Sequence, residues 1–112
     1  HYVGFSQGDA LIAVMDLILD YPSPGTAMIG FFMVDISCQG RGTGTQIIAQ
    51  ALEALAAQGM TKARLAIDEG NPQSCAFWLK NGFVLTGERI PNDIAAYLPM
   101  ERPLRHGANE PN

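Results

Sequence analysis

The feature that most constrains this chain is the segment running from Ala27 to Gly59. A largely apolar run, Ala27–Ile36, leads into Cys38–Ile48, where Gly40, Gly42 and Gly44 occupy alternate positions. A stripe of Ile47, Ile48, Ala51, Leu52 and Leu55 follows at helical spacing. The run reads as a strand. Being apolar on both faces, it is expected at the centre of a sheet and covered on both sides. Gly59 is placed to end the helix in a left-handed residue. Each glycine weakens a helix or strand by roughly 0.5–1 kcal/mol relative to alanine, so three in alternation need a compensating use. A strand-to-helix turn without Cβ atoms supplies one. The free N–H groups of the first helical turn, at the positive end of the helix dipole, can meet an anion at close range. A phosphate or diphosphate is the natural guest.

The flanking sequence sets the architecture. His1–Leu19 reads as two strands around a Gly8-Asp9 turn, and Asp20–Thr26, with two prolines and a glycine, as a loop. Lys62–Gly70 predicts a strand with Leu65 and Ile67 on one face and Ala66 and Asp68 on the other. Asn71–Gly82 predicts a short helix capped by Asn71, with Pro72 at its first position and Asn81-Gly82 at its end. Phe83–Arg89 and Ile94–Arg102 read as two last strands. The order is β-β-β-α-β-α-β-β, an α/β fold with a mixed, partly antiparallel sheet and two helices. Residues 1–102 form one domain and residues 103–112 a polar tail.

Bulk properties exclude several classes. A hydrophobic fraction of 47% with 16% charged residues belongs to a globular chain. A net charge of −4 with scattered basic residues gives no electrostatic basis for holding nucleic acid. No apolar run is long enough for a membrane-spanning helix, so no membrane partner is expected. The two cysteines, Cys38 and Cys75, form neither a disulfide framework nor a CxxC pair, and no metal site is expected. A reducing cytoplasm is the expected setting.

The loop itself separates three phosphate motifs. A Walker loop needs a lysine after its last glycine, and none follows Gly44. A dinucleotide fingerprint needs glycine where Thr45 stands. Gln39-Gly40-Arg41-Gly42-Thr43-Gly44 matches Q/R-x-x-G-x-G/A, and it resembles the coenzyme A pyrophosphate loop of the GNAT N-acetyltransferase family. The downstream segment Asn71–Phe83, NPQSCAFWLKNGF, is similar to the same family's asparagine-to-Gly-Phe segment. The resemblance covers about residues 1–102.

That resemblance implies a set of roles. Backbone amides of Gln39, Gly40, Arg41, Gly42, Thr43, Gly44 and Thr45 would hold the pyrophosphate of acetyl-CoA. Arg41 would either add a charge contact or stay a solvated loop cation. The pantetheine arm would pair like an extra strand with Phe32, Val34 and Ile36, where the family's fourth strand splays from the fifth. The N–H of Val34 would polarise the thioester carbonyl. Asn71 would lie near the coenzyme arm. Trp78 stands where many members carry a tyrosine that protonates the leaving thiolate. Indole cannot do so, leaving Cys75, water or Tyr97, while Trp78 lines the coenzyme or packs in the core.

The acceptor amine must lose a proton before it attacks. Asp16 is the first candidate base, because it interrupts the apolar run of the second strand. It shares a face with Val14 and Ile18. It could instead bind the acceptor's cation or be a structural acceptor. Asp35, Asp68 and Glu69 are the alternatives. The family begins with a strand and two helices, and this chain opens at what resembles strand two. Three explanations are open: a fragment of a longer chain, a separate chain carrying the rest, or a homodimer completing the acceptor site. The expected activity is acetyl transfer from acetyl-CoA to a small amine-bearing acceptor. The alternatives are a non-catalytic acyl-CoA-binding module and an assembly subunit of the same fold.

Overall fold

The computed structural model describes residues 1–104. Alternating aliphatic residues build the first hairpin. Strand β1 (Tyr2–Gln7) and strand β2 (Ala10–Leu19) pair antiparallel around Gly8, whose φ of +62° suits the tight turn. Strand β3 (Thr26–Val34) pairs antiparallel with β2, with a bulge where Asp16↔Phe31 gives way to Leu17↔Ile29. Gly30 is the extra residue on the β3 side.

Strand β4 (Lys62–Asp68) lies parallel to β3, and the pairing is brief. Only Thr26–Met28 and Lys62–Arg64 are in register. Strand β7 (Ala96–Pro103) then pairs antiparallel with the whole of β4, from Lys62↔Pro103 to Asp68↔Tyr97. Two short strands, β5 (Val84–Leu85) and β6 (Ile90–Pro91), pair with β7. The sheet order is β1-β2-β3-β4-β7-β5, with β6 also on β7.

Both helices pack on one face. Helix α1 (Thr43–Ala57) buries Ile48, Leu52 and Leu55 against Met15, Leu17, Ala27, Ile29, Ala63 and Leu65. Helix α2 (Pro72–Lys80) adds Trp78, which meets Phe83 edge to face at 5.2 Å between ring centroids. Met15, Phe83 and Met100 are fully buried, and each such side chain stabilises the fold by about 1.5–3 kcal/mol. The caps are as expected. Asn71 Oδ1 accepts the Ser74 N–H at 3.0 Å, Pro72 opens α2, and Gly59 and Gly82 are left-handed. Arg102 donates to the Asn81 carbonyl at 2.7 Å and so holds the end of α2.

The expected mixed sheet with two helices is present. Four local expectations need correction. First, β3 is central, yet only its first half is enclosed: Thr26, Ala27 and Ile29 are buried, while Met33 is 65% exposed. Past the bulge the strand parts from β4, and Phe31, 37% exposed, meets the Tyr2 ring at 5.7 Å between centroids. Second, β3 stops at Val34. The Asp35 carboxylate accepts the N–H and hydroxyl of Ser37, which turns Ile36–Cys38 into a 3-10 turn. Third, the last strand starts at Ala96. Asn92 Oδ1 accepts the N–H groups of Ile94 and Ala95, which bends the chain and leaves Ile94 exposed. The short β6 precedes that turn. Fourth, Leu104 packs against the core, and its N–H donates to Thr61 O at 2.9 Å. The rest of the expected tail, from residue 105, lies outside the described residues.

Candidate active site

The glycine turn delivers free donors. Gly40 and Gly42 have φ of +78° and +76°, and Gly42 caps α1 without any side-chain hydrogen bond. The first helical N–H to reach a carbonyl is that of Gln46, on Gly42 O at 3.1 Å. The N–H groups of Thr43, Gly44 and Thr45 therefore lead the helix with no partner among the described residues. No acidic side chain competes for them in the first turn. The dipole of a helix this long favours an anion there.

Gly44 has a different reason to be glycine. A Cβ there would stand 3.3 Å from Phe77 Cε1 and 3.7 Å from Phe32 Cε2. The bare position lets the helix sit a few tenths of an ångström closer to the Phe77 ring than a Cβ would.

The turn opens onto a groove of about 440 Å³ lined by Phe32, Val34, Gln39, Gly40, Gly42, Gly44, Thr45, Phe77 and Lys80. Phe32 and Phe77 stack across it at 6.3 Å. The Gln39 side chain donates to Val34 O at 2.9 Å and ties the turn back to β3. The Asp35 N–H is spent on Ile12 O, toward β2. Neighbouring residues of a strand point their N–H groups in opposite directions, so the N–H of Val34 faces the side that β4 has already left.

That side is a cleft. Because β3 and β4 part after Met28 and Arg64, a gap of about 210 Å³ opens between them, lined by Gly30, Phe31, Phe32, Ile67, Asp68, Asn71, Ser74 and Trp78 among others. Phe32 belongs to both the groove and the cleft. Beyond it lies a cavity of about 600 Å³ lined by Asp68, Glu69, Gly70, Asn71, Asn92, Asp93, Ile94, Ala95, Ala96 and Tyr97. Asp68 and Asn71 belong to both cleft and cavity. Groove, cleft and cavity thus adjoin in series, and the row they make along the fork between β3 and β4 is the passage.

Charge is distributed unevenly along it. Among the described residues, Lys80 is the one cation of the groove. The cavity carries Asp68, Glu69 and Asp93. Arg89 holds Glu69 with two hydrogen bonds, at 2.7 and 2.9 Å, and those bonds keep the Glu69 carboxyl below its ordinary range. The Ser37 hydroxyl and N–H lower Asp35 in the same way.

Of the residues singled out from sequence, the passage gathers Phe32, Val34, Gln39, Gly40, Gly42, Gly44, Thr45, Asn71 and Trp78, and of the alternatives Asp68, Glu69 and Tyr97. Arg41, Thr43 and Ile36 line none of its three parts. Ile36 is 83% exposed on the 3-10 turn, away from the extended backbone it was expected to share. Asp16 also lines none of them. Its carboxylate lies over Gly30, which lines the cleft, and 3.5 Å from the His1 backbone nitrogen. Phe77 and Lys80 join the site without having been expected there from sequence. Their spacing of three on a helix whose Trp78 faces the core was the available signal.

Comparison with known proteins identifies the family and the fold. A family model described as the Acetyltransferase (GNAT) family matches residues 1–83, and the chain belongs to that family. No curated protein matches significantly. Among solved structures, an acetyltransferase from Thermus thermophilus is similar at 26% identity and a TM-score of 0.70, over 92% of this chain and 63% of that one. The PaiA N-acetyltransferase from Thermoplasma acidophilum, in complex with coenzyme A, aligns at 19% identity and a TM-score of 0.73, over 91% of this chain and 59% of that one. A spermidine N-acetyltransferase SpeG chimera from Vibrio cholerae aligns at 19% identity and a TM-score of 0.74, over 86% of this chain and 61% of that one. The chain spans about three fifths of the length of these relatives.

Proposed function

We propose that the chain is an N-acetyltransferase that moves the acetyl group of acetyl-CoA to a small amine by direct attack on the thioester. The observation that carries this reading is the row of adjoining pockets along the β3–β4 fork, with free helix N–H groups at one end and carboxylates at the other. The diphosphate would lie on Gly40–Thr45, where N–H groups and the helix dipole meet it. The pantetheine arm would follow Phe32 and Val34 into the cleft. The Val34 N–H would stabilise the oxyanion as the carbonyl is attacked. Asn71 and Trp78 would flank the arm there. An amine would enter through the acidic cavity, which favours a cationic acceptor. Spermidine, the substrate named for one structural neighbour, is of that kind.

Calorimetric titration with acetyl-CoA, followed by thiol release over a panel of amines, tests the reading. Absence of binding at millimolar coenzyme would overturn it. One observation favours a second reading, a non-catalytic acyl-CoA-binding module: buried Trp78 stands where the family's tyrosine is expected. Binding without thiol release from any amine would select it. The two free cysteines suit a reducing cytoplasm. The exposed Tyr2, Phe31 and Met33 suit a face covered by a second copy or a partner chain, and sedimentation of the coenzyme-bound protein would reveal the assembly.

A further inference from the structure

Strand β1 is an edge of the sheet: among the described residues, only β2 pairs with it. The Leu17 N–H donates to His1 O at 2.8 Å, so the backbone of His1 faces β2. Alternation then turns Val3 and Phe5 toward β2 as well, and points the N–H and C=O groups of Tyr2, Gly4 and Ser6 outward. The irregularity of the hairpin does not blunt this edge, because the extra residue, Ile12, lies on β2 between the partners of Phe5 and Ser6. Proteins commonly protect a sheet edge with charge, proline or very short strands. The far side of this sheet is of that kind: β5 and β6 have two residues each, and β6 contains Pro91. Strand β1 has six residues, YVGFSQ, with no charge and no proline.

The helix beside this edge shows the same lack of charge. A trough of about 180 Å³ runs between β1 and α1, lined by Val3, Phe5, Leu19, Ala54 and Leu55 among others. Its α1 wall presents Gln50, Ala54 and Gln58, all exposed and none charged. Glu53 is the single charged residue of α1, and it does not line the trough. A helix flank that stays in water ordinarily carries charged residues. Edge and trough together make one uncharged, partly apolar strip, and its unpaired backbone groups call for an extended strand.

We propose that β1 is a homodimer seam, in which two copies pair their β1 strands antiparallel about a two-fold axis at Gly4. The proposal concerns assembly and does not rest on the acetyltransferase reading above. The strand is self-complementary in this register. The Gly4 N–H of each copy donates to the Gly4 O of the other, and Tyr2 of one copy exchanges backbone bonds with Ser6 of the other. Every outward group of Tyr2, Gly4 and Ser6 is then satisfied. Val3 of each copy stands directly opposite Phe5 of the other, on the helix face where both already pack against the core. Such close apolar cross-strand pairs are what stabilises a sheet, and these two pairs sit at the mouths of the two troughs. No carboxylate or cation of the strand has to be desolvated.

The test is sedimentation velocity of the full chain over micromolar to millimolar concentrations. Wild type should pass from monomer to dimer across this range, with or without acetyl-CoA. Tyr2→Lys combined with Ser6→Lys sets like charges directly opposite each other twice in the seam. The dissociation constant should rise at least about tenfold. Tyr2→Lys combined with Ser6→Glu sets opposite charges in the same register and should restore the dimer. Tyr2 is 71% exposed and Ser6 is exposed as well, so these changes leave the core alone; circular dichroism checks that the fold persists. Tyr2→Pro removes an outward N–H without touching a bond to β2, and by itself should weaken association. A wild-type monomer at every concentration would overturn the proposal. So would a dimer that the Tyr2→Lys, Ser6→Lys variant leaves intact, or one that both double variants weaken equally.

Discussion

The Asp16 carboxylate occupies the space over Gly30: its Oδ2 lies 2.6 Å from the point a Cβ at position 30 would take. The bulge between β2 and β3 and the bare residue at position 30 are therefore one device. Gly30→Ala must push Asp16 aside or shift β3, and overpacking of this kind costs about 1–3 kcal/mol. Adding Asp16→Ala should recover part of that loss. Urea unfolding of the two single variants and the double variant measures the coupling. Additive losses would mean that the two residues do not share this space.

Gly42→Val separates the turn from the fold. The position has φ of +76°, and no atom lies within 4 Å of where a Cβ would stand. The cost is therefore conformational, about 1–2 kcal/mol. Helix α1 should persist by circular dichroism, because its core residues are untouched. Affinity for acetyl-CoA should fall at least about tenfold, a free-energy loss of about 1.4 kcal/mol. Unaltered affinity in the calorimeter would remove the turn from the coenzyme site.

Lys80 is the cation of the groove. Lys80→Ala should weaken coenzyme A about three- to tenfold, the order of a partly solvated charge contact, and the gap should close in concentrated salt. Comparing coenzyme A with its dephospho form tells whether the charge meets the diphosphate or the 3′-phosphate. Equal binding by wild type and variant at low salt would exclude both.

Acid should destabilise the fold in a defined direction. Arg89 depresses Glu69, and the Thr86 hydroxyl, then Arg64, depresses Glu88. A carboxylate with a lowered folded pKa stabilises above its unfolded value, and that contribution is lost as pH falls through the folded value. The loss should therefore begin below about pH 4, the ordinary carboxylate range. Both groups are exposed, so salt should reduce it. Urea midpoints at pH 7 and pH 3 should differ less in Glu69→Gln than in wild type. An equal difference would show that the Arg89 contact does not outlast solvent screening.

Periodicity made most of the architecture legible. The stripe Ile47, Ile48, Ala51, Leu52 and Leu55, the Asn71-Pro72 cap and the alternation of Leu65 and Ile67 each rest on local rules, and each appears in the structure. Part of what escaped depends on distant partners. The exposure of Phe31 and Met33 follows from where β4 leaves β3, which no local pattern encodes. Ile36 left the strand because Asp35 could cap a turn on Ser37. The glycines at 40, 42 and 44 looked alike in sequence. Gly42 answers to backbone conformation, whereas Gly44 answers to the Phe77 ring. Lys80 and the opposition of Asp68 to Tyr97 emerge only once α2 and β7 are in place.

The brief parallel register of Thr26–Met28 with Lys62–Arg64 has a dynamic consequence. Among the described residues it is the sole ladder between a three-stranded half, β1-β2-β3, and the half built on β4 and β7. A ligand lying along Phe32 and Val34 would act as a zipper, lending the missing rungs where the ladder stops. Amide exchange in the strands flanking the fork would then slow on coenzyme addition, far from any phosphate.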